Sequence, residues 1–194
     1  MKAAPAALGF RVKSGWATAV LLAGPRRAPR VVDRRIAELS DPAVPEARQP
    51  FHAGLGRHDA RAAKSVARLV RAVERFAHRS VAKLIAEYRA TGHRIRGVGI
   101  VVGSTIDPVA IANEHIRAHA EEGRLFRTVI ETAAGKSRLR AQVTPEKQLY
   151  ASAAQVLRTP VPRLKARVAA LGEQVVGSWR SEDKAAAVAA WMVL

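Results

Sequence analysis

The run Gly9-Phe10-Arg11-Val12-Lys13-Ser14-Gly15-Trp16-Ala17-Thr18-Ala19-Val20-Leu21-Leu22 constrains the fold more than any other segment. Two apolar β-type stretches flank a Ser-Gly turn, the signal for a hairpin. Strands are therefore expected over Ala6 to Lys13 and Trp16 to Gly24. A third β-like run, Arg30 to Leu39, follows Gly24-Pro25-Arg26-Arg27-Ala28-Pro29. Connections this short favour an antiparallel meander. Asp41 to Gly56, rich in Pro, Ala and Gly, reads as a surface loop.

Periodicity then changes. Val66, Leu69, Val70, Val73, Phe76, Ala77, Val81, Leu84 and Tyr88 recur at helical spacing, which predicts a helix from about Asp59 to Ala90, stopped by Thr91-Gly92. Ile95 to Val102 is nearly continuously apolar, as a central strand buried on both faces must be. Asp107-Pro108 suits the start of a second long helix running to about Ala134. A short strand, Arg138 to Val143, and three helical segments, Glu146 to Leu157, Arg163 to Val176 and Glu182 to Val193, complete the chain. The order βββ-α-β-α-β-ααα predicts an α/β fold: a five-stranded mixed sheet, three antiparallel strands and then β-α-β, flanked by helices. The length fits one domain over 1–194, with 160–194 a C-terminal helical segment packed on it.

The hairpin resembles the first hairpin of the ribonuclease H-like superfamily, whose pattern is close to Gly-Ile-Asp-x-Gly-Ser-Thr-x-Thr-Lys-Ala-Val-Leu. Gly9 to Leu21 fits it without a gap. The later elements are nearest in layout to RuvC-type Holliday junction resolvases: Gln142-Val143-Thr144-Pro145-Glu146-Lys147 matches the Pro-led helix after the last strand. Ser181-Glu182-Asp183-Lys184-Ala185 matches the small-residue helix that opens on an acidic pair. The resemblance implies that the first strand lies beside the central one. It also implies carboxylates from the first strand, the central strand and the last helix holding Mg²⁺ at a scissile phosphate. Here the first of these positions is Arg11, no acid stands at Val102 to Ser104, and of the final pair Asp183 fits one member while Ala186 takes the other. A guanidinium offers donors only and cannot replace a carboxylate on a hard cation. Acids in the first turn of a helix, such as Glu182 and Asp183, also stabilise its dipole without any catalytic role.

A formal net charge of +17 attracts polyanions through counterion release, so nucleic acid is the expected partner and an acidic protein the second. An Arg-rich composition without any partner is the plainer account of the same number. The absence of Cys excludes thiol catalysis and Cys-based zinc sites. No apolar stretch approaches a membrane span, so no membrane partner and a cytoplasmic location are expected.

The charge is most ordered on the first long helix, where Lys64, Arg68, Arg71, Arg75 and Arg79 repeat opposite the apolar stripe. Solvated faces usually interleave both signs, and only Glu74 and Glu87 lie nearby. Arg11 and Lys13 at the hairpin tip, with Trp16 as a stacking platform, extend the expected nucleic-acid-binding set; Trp179 and Trp191 are expected to pack. Gly103-Ser104-Thr105 before a helix is a weak phosphate-loop signal. On the second long helix His115 and His119 stand at i and i+4, the spacing of a metal-chelating pair, with Asp107 or Glu114 placed to assist. Glu122 shares their face but lies two turns from His115, about 10 Å by helical rise, too far to share one ion. No convergence of His115 and His119 on one ion, and no cofactor, is expected.

Three readings follow. The first is a basic protein that binds nucleic acid or organises a nucleoprotein complex on a catalytically degenerate ribonuclease H-like fold. The second is an active Mg²⁺- or Mn²⁺-dependent nuclease with catalytic ligands relocated to Asp107, Glu114, His115, His119 and Asp183. The third is an interaction module for an acidic protein.

Overall fold

The computed structural model describes residues 4–194. Ala4–Lys13 (β1) and Trp16–Ala23 (β2) form the expected hairpin, with Lys13 opposite Trp16 and Gly15 at φ 83° supplying the left-handed turn residue. Arg30–Glu38 (β3) continues the meander antiparallel to β2. His93–Val102 (β4) lies parallel to β1, and Arg140–Pro145 (β5) lies parallel to β4. The resulting order β3-β2-β1-β4-β5 is one five-stranded mixed sheet with β1 beside the central strand β4, as the sequence implies.

Side-chain alternation along β1 divides the core in two. Leu8, Phe10 and Val12 join a cluster with Ala60–Ala90 (α1) and Glu114–Lys136 (α2), through Val73, Val81, Phe126 and Ile130. Ala7, with Val20, Leu22 and Val101, points the other way, into a cluster formed by Leu149–Leu157 (α3), Val161–Leu171 (α4) and Ser181–Met192 (α5). On that second face Gly9 and Gly99 are paired across β1 and β4, and α5 lies directly on them. A Cβ on Gly9 would overlap the carbonyl oxygen of Ala186, and one on Gly99 that of Ala189. The sheet surface there is backbone, and the Ala-rich sequence of α5 is what lets a helix approach it.

Several boundaries move. The second long helix starts at Glu114 rather than at Asp107: Asp107 caps only a single turn, Pro108–Ala110, and Asn113 caps α2 by accepting from Ile116 N at 3.0 Å. Gly103-Ser104-Thr105 therefore does not lead into a helix N-terminus; Ser104 Oγ accepts instead from Ile106 N at 3.1 Å. β5 is shifted towards the C-terminus, because Arg138 turns the chain at φ 59°. Helix α4 ends at Leu171, where Gly172 packs under the Trp179 ring. The 41–56 loop contains two short turns, Pro45–Arg48 and His52–Gly54. Trp179 donates its indole N–H to Val168 O at 2.9 Å, and the buried Trp191 donates to Arg26 O at 2.6 Å, so both pack. Among the described residues no helix is long and apolar enough to cross a membrane.

Candidate nucleic-acid interface

The C-terminal ends of β1 and β4 and the start of α5 meet at one end of the sheet. Arg11, opposite Val101 in the parallel register, is 6% exposed and lies within β1 rather than at the hairpin tip. Its guanidinium grips Glu146 twice, Nη2 to Oε2 at 2.6 Å and Nε to Oε1 at 3.3 Å, while Nη1 donates to Val12 O at 2.7 Å. Such bidentate pairs consume the donor fork. Three of the five Arg11 N–H donors are thus engaged within the chain and the side chain is buried, which argues against the expected phosphate contact. A turn-proximal position in the sequence does not reveal that strand alternation turns this side chain inward.

The neighbouring acids are equally committed. Asp183, buried on α5, accepts from Arg180 N at 2.7 Å as the return half of a capping box and pairs with Arg34 at 3.4 Å. Glu182 lies 3.5 Å from Lys13. The Ser181 hydroxyl, the Glu182 backbone N–H and Lys13 together hold this carboxyl below its ordinary value. A depressed carboxylate stabilises the fold at neutral pH, and the contribution disappears as pH falls through the folded-state value. Glu182→Gln is expected to flatten the acid limb of a stability-versus-pH curve slightly, measured by denaturant unfolding from pH 7 to pH 3. Three acids at this end of the sheet thus each face a cation, and a Mg²⁺ ion would have to displace guanidinium or ammonium groups to reach them. Among the described residues no carboxylate cluster with metal-ligand spacing occurs.

A cleft of about 610 Å³ opens beside this end, lined by Trp16, Arg34, Arg35, Arg180 and Asp183 among others. Trp16 is half-buried on its wall. The cations here are tethered: Arg34 reaches Ser178 O at 2.9 Å, and Arg35 reaches Asp33 at 2.5 Å and Glu87 at 3.1 Å.

The helix α1 is different. Asp59 caps it by accepting from Ala62 N at 2.7 Å, and Leu69, Val73, Ala77, Val81, Leu84 and Tyr88 bury one side. At 100° per residue Lys64, Arg68, Arg71, Arg75 and Arg79 fall within an arc of about 80° and extend about 22 Å along the axis. All five are exposed, and none makes an ion pair with a described residue. Of the two acids on α1, Glu87 is taken by Arg35 and Lys83, and Glu74 makes no ion pair with a described residue.

The relocated catalytic ligands do not assemble. Asp107 is exposed and pairs with Arg124 at 3.5 Å; Glu114 lies 3.7 Å from both Arg117 and His58; Asp183 sits on α5, across the sheet from α2. The histidines, in contrast, do come together. His115 Nε2 and His119 Nε2 are 3.2 Å apart, and His52 joins them, with one ligand atom of each ring within 4.8 Å of the others. His52 was hidden because it comes from the 41–56 loop, whose turn at His52–Gly54 packs against α1 and α2. Its partner Glu122 is fully buried and holds His52 Nδ1 at 2.7 Å.

No family model matches the sequence, and no curated protein matches it. Solved structures do. The chain is similar to Thermus thermophilus RuvC in complex with a Holliday junction substrate, at 11% identity and a TM-score of 0.55 over 96% of this chain and 90% of that one. It is similar to the T. thermophilus RuvC structure by the same measures, covering 92% of that chain. With the strand order, the parallel β1–β4 pair and the helix laid across it, this likeness establishes that the chain has a RuvC-like, ribonuclease H-like fold.

Proposed function

We propose that this protein binds nucleic acid along the ridge of α1, and that its ribonuclease H-like scaffold positions that ridge rather than a carboxylate-held magnesium centre. The observation that carries the reading is the set of five exposed cations on one arc of one helix, none ion-paired among the described residues. A single-sign stripe about 22 Å long can track a phosphate backbone, and each contact releases roughly one condensed counterion. The pairing of buried Arg11 with exposed Glu146, at the position where the resemblance would put the first catalytic carboxylate, supports the same reading. So does the junction bound to a structure of similar fold. Lys13 and Trp16, flanking the same hairpin turn, are candidates for a second contact region, with Lys13 partly engaged by Glu182.

Replacing Arg68, Arg71 and Arg75 together by Gln is expected to lower the slope of log K against log salt by about three, while leaving any sequence preference unchanged. The side chains are exposed, so each substitution changes stability by less than about 0.5 kcal/mol. Fluorescence anisotropy with a generic duplex and a four-way junction, titrated over salt for parent and triple variant, checks this. Equal slopes and affinities for the two proteins would eliminate the ridge as a nucleic-acid surface and favour an acidic protein partner.

A further inference from the structure

We infer that His52, His115 and His119 form a binding site for one first-row transition-metal cation of the zinc class, with Glu122 as a positioning residue behind His52. The geometry fits one small ion. Nitrogens bound at about 2.0–2.1 Å in a tetrahedron stand about 3.3–3.4 Å apart. The Nε2 atoms of His115 and His119 are 3.2 Å apart, and the three ring centroids are 4.3, 4.7 and 5.0 Å from one another. Three imidazoles without carboxylate or thiolate suit zinc, cobalt, nickel or copper and not magnesium or calcium. Three protein ligands leave a fourth position, and exposure of His115 and His119 opens it to solvent.

The second observation is the environment of His52. Its Nδ1 is engaged by a fully buried carboxylate, which fixes the N–H on that side and leaves the lone pair on Nε2. Nε2 is itself buried and has no hydrogen-bond partner. An orphaned imidazole nitrogen is costly in a folded protein unless something occupies its lone pair. Glu122 also has no Lys or Arg partner among the described residues, and its Oε2 is unsatisfied there. A divalent cation on the far side of the imidazole answers both deficits: it ligates Nε2 and compensates the buried negative charge through the ring. This carboxylate–imidazole arrangement is the one that orients metal-bound histidines generally. The ion would join the 41–56 loop to α2, where the His52–Glu122 contact already links the two.

The test uses the full chain freed of any histidine tag and of metal. Titration with Zn²⁺ by calorimetry and with Co²⁺ by visible absorption is expected to give one ion per chain, a d–d spectrum of four-coordinate cobalt, and no competition from millimolar Mg²⁺. His119→Ala, at an exposed position that leaves the fold intact by circular dichroism, is expected to weaken binding by at least 100-fold. Glu122→Gln is expected to weaken it about 10–100-fold and to alter the cobalt spectrum. His93→Ala, remote from the cluster, should leave both unchanged. Failure of the parent to bind either ion below about 100 μM, or binding by His119→Ala indistinguishable from the parent, overturns the site. Unchanged affinity and spectrum in Glu122→Gln overturns the positioning role.

Discussion

Gly9→Ala is expected to destabilise the protein by about 3 kcal/mol or more, at the upper end of what overpacking a core costs. The added methyl would meet the Ala186 carbonyl and the Ala190 amide, both main-chain groups of α5 that no rotamer change can move aside. The helix must lift, and with it the Trp191 contact to Arg26 and the apolar cluster formed with Val20, Leu22 and Val101. Gly99→Ala should behave alike, since its Cβ would meet the Ala189 backbone. For a chain of this size about 3 kcal/mol lowers the melting temperature by roughly 6–12 °C. Gly123→Ala on the exposed side of α2 is the control: no atom lies near its would-be Cβ, and a helical Gly replaced by Ala should gain about 1 kcal/mol. Calorimetric melting of the three variants checks the contrast, and a neutral Gly9→Ala would refute the close contact of helix and sheet.

His52→Leu in metal-free protein is expected to cost about 3–5 kcal/mol, because it strands the buried Glu122 carboxylate without its side-chain partner. The double variant His52→Leu with Glu122→Leu should recover most of that loss, since it removes the charge as well as its partner. Urea unfolding of the two variants in chelator measures the difference. Equal stabilities would mean that the carboxylate is neutralised by other means, and that the pair contributes packing alone.

How much of this was legible in the sequence depends on the reach of each signal. The hairpin, the central strand and α1 are written in local periodicity, and their observed bounds differ from the expected ones by a few residues. The ridge was readable because i, i+3 and i+4 spacing and charge suffice to place side chains on a helix face. The burial of Arg11 is not legible because its partner, Glu146, lies 135 positions away and neither residue signals the other. The histidine cluster was missed for the same reason. His115 and His119 carry a local spacing, but His52 lies in a segment with no periodicity, and Glu122 reaches it across 70 positions. Asp107 looked like a helix start because Asp-Pro is one, and a second capping residue, Asn113, took the helix instead.

The dependence of β1 on α5 also has a bearing on how the chain is made. The surface formed by Ala7, Gly9, Val20, Leu22, Gly99 and Val101 receives its cover from α5, and the Trp191–Arg26 contact alone spans 165 positions. At synthesis rates of about 5–20 residues per second, translating that interval takes roughly 8–33 s. Throughout that time a finished hairpin has one greasy side and no helix to lay on it. That face stays open to solvent until residue 192 has emerged and α5 can settle onto the two glycines, so the sheet closes only at the end of synthesis.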